Sequence, residues 1–202
     1  DPPMKASSAR SSRRTRAVES FASAAECIGP VEPGMALFAV TRGQFSMLDA
    51  VQHVITEVGP CSIALWVWAV ASSTDVFEAL MANKAIRSAS MVVDTSRAKE
   101  VQNEEIVASW LSCYGPGSVR LVRSHAKIAR VWTAERKVLI RSSGNFSTDP
   151  RFEQIDLTEG GEDFDLVARA EASLPIYQGE AQAMANRVVD LPLFSGVQTW
   201  RA

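Results

Sequence analysis

His125 and Lys127 stand two residues apart in a chain that has only two histidines. Side chains alternate along an extended segment, so this imidazole and this ammonium should project from the same face. A group able to attack, or to carry a proton, then lies beside a fixed positive charge, an arrangement suited to a phosphoryl group. Downstream, Ser142-Ser143-Gly144-Asn145-Phe146-Ser147 supplies hydroxyl and amide donors, and Phe152-Glu153-Gln154 supplies a carboxylate. Glu153 could accept from a ring nitrogen of His125, selecting its tautomer and raising its basicity.

The intervening residues determine whether these groups meet. Apolar runs at 128–132 and 138–140 flank Thr133-Ala134-Glu135-Arg136, the pattern of two strands joined by a short turn. A three-residue loop at 134–136 would pair Thr133 with Lys137, setting Lys127 opposite Ser143 and His125 opposite Asn145. A four-residue loop shifts the register by one and places Gly144 opposite His125 instead.

Taken together, His125-Ala126-Lys127, the Ser142 to Ser147 run and Phe152-Glu153-Gln154 resemble the HxK…GSxN…E signature of the phospholipase D superfamily. The resemblance spans about 35–174 in element order, and its sequence-specific part is 125–154. It departs at Trp132, where the family has Asp, at Ser142, where it has Gly, and in a longer interval between Lys127 and Asn145. It implies an α/β/α sandwich with the HxK strand near the sheet centre, and phosphodiester cleavage through a phosphohistidine on His125. Lys127, Ser143 and Asn145 would hold the phosphoryl oxygens, and Glu153 would orient His125. The protein would supply the positive charge itself, so neither a metal nor a cofactor is expected. The family mechanism uses two histidines, one attacking and one protonating the leaving group, whereas this chain has one HxK. The resemblance therefore implies a homodimer whose two-fold axis joins two motifs. A competing reading is a catalytically weak DNA-binding or regulatory protein that keeps the fold and the phosphate site, and the departures at Trp132 and Ser142 point to it.

Composition bounds the rest. A length of 202 residues, 47% hydrophobic and 22% charged, fits one soluble globular domain. A net charge of −2 excludes a uniformly basic nucleic-acid binder but allows local basic patches. One such patch comprises Arg123, Arg130 and Arg141, beside Arg120 and Arg136; another comprises Arg13, Arg14 and Arg16. Both favour nucleic acid, DNA ahead of RNA, over lipid. Cys27, Cys61 and Cys113 form no CxxC pair, so buried reduced thiols and a cytoplasmic setting are expected. The longest strongly apolar run, 63–71, is too short to span a bilayer. No apolar segment follows Arg13-Arg14 as a secretory signal would require.

The expected organisation is a flexible basic arm at 1–20, a phospholipase D-like domain at 21–190 and a tail at 191–202. Periodicity and breakers predict helices at 17–27, 47–58, 75–87, 103–114, 163–174 and 182–189. Strands are predicted at 35–41, 61–70, 89–93 and 152–157, with 119–124 leading into the hairpin. This alternation predicts a mixed central sheet with helices on both faces. His53, beside Val54 and Ile55 on a helix, reads as structural, and Trp132 as core.

Overall fold

The computed structural model describes residues 15–19, 23–68, 74–94, 101–144, 146 and 151–177. In chain order the elements are β1 (Thr15–Glu19), α1 (Ala24–Ile28), β2 (Ala36–Thr41), α2 (Met47–Val58), β3 (Cys61–Val67), α3 (Thr74–Ala82) and β4 (Ile86–Asp94). They continue with α4 (Val101–Tyr114), β5 (Val119–Val122), β6 (Ile128–Trp132), β7 (Lys137–Ser142), β8 (Glu153–Glu159) and α5 (Glu162–Ala172). One eight-stranded mixed sheet carries them, in the order β1-β2-β8-β7-β6-β3-β4-β5. Strands β3, β4 and β5 are parallel, with α3 and α4 as their crossovers, whereas β6, β7 and β8 form an antiparallel meander inserted between β3 and β2.

Helix α2 shows how local sequence sets an element. Ser46 accepts from the Asp49 backbone while Asp49 reaches back to the Ser46 N–H, a capping box that satisfies two otherwise orphaned donors. Met47, Leu48, Val51, Val54 and Ile55 form its buried stripe. Gly59, at φ 75°, ends it in a conformation that costs glycine least, and its N–H donates to Ile55.

Residues 17–27, expected as one helix, divide into a strand and a short helix. The edge of β2 would otherwise present unpaired backbone groups, and β1 covers it in parallel register from Thr15 opposite Ala36 to Glu19 opposite Val40. Helix α1 begins only at the capping box of Ser23 and Glu26. The stretch expected as an arm, 1–20, therefore contributes a strand to the sheet. Residues 1–14, the helix expected at 182–189 and the tail at 191–202 lie outside the described residues.

Leu37, Leu157, Ile140, Ala129, Leu65, Met91 and Val119 sit opposite one another across six successive strand pairs, so they share one face of the sheet. Helices α1 to α4 close over this face with Cys27, Leu48, Val54, Phe77, Leu80 and Trp110. The other face carries α5. Its Glu171, buried at 4% exposure, accepts from Arg130 Nη2 at 2.8 Å, from Trp66 Nε1 at 3.3 Å and from the Ser90 hydroxyl. The protein is thus an α/β/α sandwich with helices on both faces, as the alternation predicts.

The cysteines are free, Cys27 and Cys61 buried and Cys113 exposed, so the expectation of buried thiols fails at Cys113. His53 Nε2 lies 2.8 Å from the Gly29 carbonyl, tying α2 to the end of α1. No helix among the described residues is long and apolar enough to cross a membrane.

Candidate active site

Residues 123–127 leave the edge strand β5 and cross the carboxyl ends of β4 and β3 before entering β6. Here the sheet changes from parallel to antiparallel pairing, and open α/β sheets form ligand crevices at such places. The crossing is pinned from below. Asp94, which ends β4 and is buried, accepts from the Ser124 N–H at 2.7 Å, and the Ser124 hydroxyl accepts from the Ala126 N–H at 3.1 Å. The Ser142 N–H donates to the Lys127 carbonyl at 3.1 Å, extending the β6–β7 pairing by one step.

The hairpin has the four-residue loop. Trp132 pairs with Lys137 and Ile128 with Arg141, so the register that places Gly144 opposite His125 is the one adopted. Within the loop the Thr133 hydroxyl accepts from the N–H groups of Glu135 and Arg136, at 3.1 and 3.0 Å, and the Thr133 N–H donates to the Arg136 carbonyl. A hydroxyl that satisfies two turn donors favours this loop over the shorter one. Asn145 lies outside the described residues.

The expected convergence of His125 and Lys127 is present. The Lys127 Nζ lies 3.1 Å from His125 Nδ1 and 3.2 Å from Nε2. His125 is exposed, whereas Lys127 is only 7% exposed. Burial lowers the Lys127 pKa below its usual value, and the nearby Glu153 carboxylate partly offsets this. Trp68, just beyond β3, meets the His125 ring in a T-shaped contact, with centroids 4.9 Å apart and planes at 65°. The Lys127 ammonium lies 5.5 Å from the centre of the same indole, within cation–π range.

Glu153 takes a different partner from the one expected. Its carboxylate accepts from the Ser143 hydroxyl, and among the described residues it makes no bond to His125. The Ser143 hydroxyl also accepts from the Gln154 N–H at 3.0 Å, and the Ser142 hydroxyl donates to the Gln154 carbonyl at 3.0 Å. This lattice holds the start of β8 against the end of β7. Gly144 lets the Glu153 side chain come close: a Cβ there would lie 3.1 Å from Glu153 Cδ and 3.2 Å from its Cγ.

Among the described residues, the arginines do not form one groove. Arg130 is 6% exposed and paired with Glu171 at 2.8 Å, its guanidinium 4.8 Å from the Trp132 ring centre and 5.1 Å from that of Phe164. It is a structural cation beneath α5, so its expected contact with nucleic acid is corrected. Arg141, opposite Ile128, faces the same side as Arg130, with Nη1 3.6 Å from Asp163. Arg136 ties the hairpin turn to Glu159 at 2.9 Å, and Arg123 is exposed beside the crossing. Arg13 and Arg14 lie outside the described residues, and of Arg16 only the backbone, in β1, is described. Trp132 is half-buried and packs against Phe164 of α5 at 6.0 Å, outside the main core in which it was expected. The sequence reading missed Trp68 and Asp94. Trp68 follows β3 and Asp94 ends β4, at the carboxyl ends where parallel strands deliver side chains to a crevice, and that was the available signal. Among the described residues, no group of three or more His, Cys, Asp or Glu side chains is placed to hold a metal.

No protein-family model matches the sequence, and no curated protein matches it. Solved structures similar to this one include Nuc of Salmonella typhimurium, a phospholipase D family member, with a TM-score of 0.51 and 13% identity over 71% of this chain and 97% of that one. A polyphosphate kinase from Porphyromonas gingivalis has a TM-score of 0.49 and 17% identity, covering 67% of this chain and 25% of that one. NucT from Helicobacter pylori has a TM-score of 0.45 and 15% identity over 70% of this chain and 99% of that one. At 13% identity the likeness to Nuc concerns the fold. The chain shares the fold of Nuc, with His125-Ala126-Lys127 at the carboxyl ends of its parallel strands.

Proposed function

We propose that the chain is a metal-independent phosphodiesterase acting on nucleic acid, DNA ahead of RNA, and working as a homodimer. The observation that carries this reading is the Lys127 ammonium. It is buried, has no carboxylate within bonding distance among the described residues, and lies against both ring nitrogens of His125. A buried cation is costly unless an anion meets it, and a phosphoryl oxygen placed beside His125 would meet this one.

In this reading a ring nitrogen of His125 attacks phosphorus in line with the leaving oxygen. An N–P bond forms as the P–O bond breaks, and Lys127 neutralises a non-bridging oxygen throughout. Ser143 and Asn145 donate to the other oxygens. The second copy's His125 protonates the departing alkoxide, and water then attacks the phosphohistidine to release the product and restore the imidazole. Glu153 reaches His125 only after giving up Ser143, a rearrangement assigned to substrate binding. Arg123, Arg13, Arg14 and Arg16 follow the flanking phosphates.

The second reading, a DNA-binding or regulatory protein on the same fold, is favoured by that Ser143–Glu153 bond, which leaves His125 without a carboxylate. One experiment separates them: wild type and His125→Ala are incubated with labelled single- and double-stranded DNA and RNA in excess chelator, and both cleavage and retention are followed. Cleavage by the wild type alone supports the phosphodiesterase. Retention by both proteins without cleavage supports the binding protein. Light scattering that finds only monomer at assay concentration removes the two-histidine mechanism.

A further inference from the structure

We infer that Trp68, immediately beyond β3, is the positioning residue for His125, a task the sequence motif would give to Glu153. Only the kinetic consequence of this inference rests on the phosphodiesterase reading. The Glu153 carboxylate is held by Ser143, and among the described residues no carboxylate bonds the imidazole. Lys127 does not select a tautomer either. Its Nζ is nearly equidistant from the two ring nitrogens, at 3.1 and 3.2 Å, and their lone pairs diverge in the ring plane, so it cannot lie along both.

Ring orientation then falls to packing. The Trp68 indole meets the imidazole at 4.9 Å in an edge geometry, which aromatic quadrupoles favour. The same indole lies under the Lys127 ammonium at 5.5 Å. One rigid side chain therefore sets the angle between the nucleophile and the cation it works with. The backbone beneath is fixed independently through Asp94 and Ser124, so truncating Trp68 frees the ring without freeing the loop. Among the described residues, Lys127 at the entry to β6 is the charged group in contact with the imidazole; Glu153 acts on Lys127, Asp94 holds the Ser124 N–H, and Arg123 is exposed two residues before His125. None of them orients the ring by a directed bond.

The test uses nuclear magnetic resonance on the full chain labelled at histidine. There are only two histidines, and His53, bonded to the Gly29 carbonyl far along α2, reports whether the fold is intact. In the wild type, cross-relaxation is expected between the Trp68 indole and the His125 imidazole protons. Trp68→Leu should move the His125 ring signals to those of a free histidine and leave the His53 signals in place. Trp68→Phe should keep the His125 signals near their wild-type positions, and Glu153→Gln should leave the His125 signals where they are. On a cleavable substrate, Trp68→Leu should lower kcat about 100-fold, the scale of a misplaced reacting group. KM should change little, and Trp68→Phe should recover most of kcat. Absence of the wild-type cross-relaxation, or a His125 displacement by Glu153→Gln but not by Trp68→Leu, would overturn the inference. Should Trp68→Leu also shift His53, the wild-type and Trp68→Phe spectra decide alone. If no nucleic acid is cleaved, the phosphodiesterase reading fails while the spectra still decide the role of Trp68.

Discussion

Lys127 and Arg130 stand three residues apart at and within β6, and both are buried, at 7% and 6% exposure, yet the sheet sends them to opposite faces. Arg130 points beneath α5 and finds Glu171 at 2.8 Å, with Trp66 and Ser90 completing that carboxylate's bonds. Lys127 emerges at the carboxyl ends of the parallel strands and finds an imidazole and an indole, neither of which neutralises it. Burial alone does not distinguish a structural cation from a functional one. The difference is whether the protein has already supplied the anion.

The largest effect that would sharpen this contrast lies in turnover. Lys127→Met should lower phosphodiester cleavage by about 10²- to 10³-fold, the scale of removing a preorganised charge from a transition state. Its urea midpoint should stay level or rise, because a buried charge without a partner is removed. Arg130→Met should behave in the opposite way. Leaving Glu171 buried and unpaired should cost about 3–5 kcal/mol of stability. Turnover per folded molecule should hold, and the double change with Glu171→Leu should recover most of the loss. If Arg130→Met abolished cleavage in fully folded protein, the division between the two cations would be wrong.

The pH dependence separates them next. Burial disfavours the Lys127 ammonium, so its penalty on folding is fully present below its folded pKa. That penalty fades as pH rises from the folded value toward the ordinary 10.5, because the unfolded chain then binds more protons. Relative to Lys127→Met, the wild type should gain stability over that window, measured by urea titrations at stepped pH. Its activity should fall over the same window as the ammonium is lost, below the range of an ordinary lysine. Glu153→Gln removes the attraction that partly holds the proton and should move this limb to still lower pH.

The smallest effect concerns the spacing around Glu153. Gly144→Ala places a Cβ 3.1 Å from Glu153 Cδ, so the Glu153 side chain must give by a few tenths of an ångström beside Ser143. Crowding of this kind costs about 1–3 kcal/mol, read as a lowered urea midpoint. Gly144→Ala should leave the Arg130–Glu171 pair untouched, so a second change there should add to it without coupling.

Much of the fold was legible because local rules agree with it. The run 47–58 carries a capping box, a buried stripe and a terminal glycine, and α2 follows it at both ends. The run 17–27 was misread because its extended part is stabilised by β2, a partner separated in sequence and invisible to periodicity. In the site, alternation was enough to bring His125 and Lys127 together. It was not enough to set the hairpin register, which the Thr133 hydroxyl and the four-residue loop decide.

The sequence by itself determined the residue types of the site and their order, because an imidazole two residues from an ammonium shares its face on any extended segment. It also determined the α/β/α class, because strand and helix periodicities alternate along the chain. Tertiary structure alone decided which cation is neutralised, that Glu153 bonds Ser143, that Trp68 stands beside His125, and that Asp94 holds the Ser124 N–H. Each of those contacts joins residues that only the stacking of strands brings together. Distances of a few ångströms across a sheet are not written in spacing along the chain.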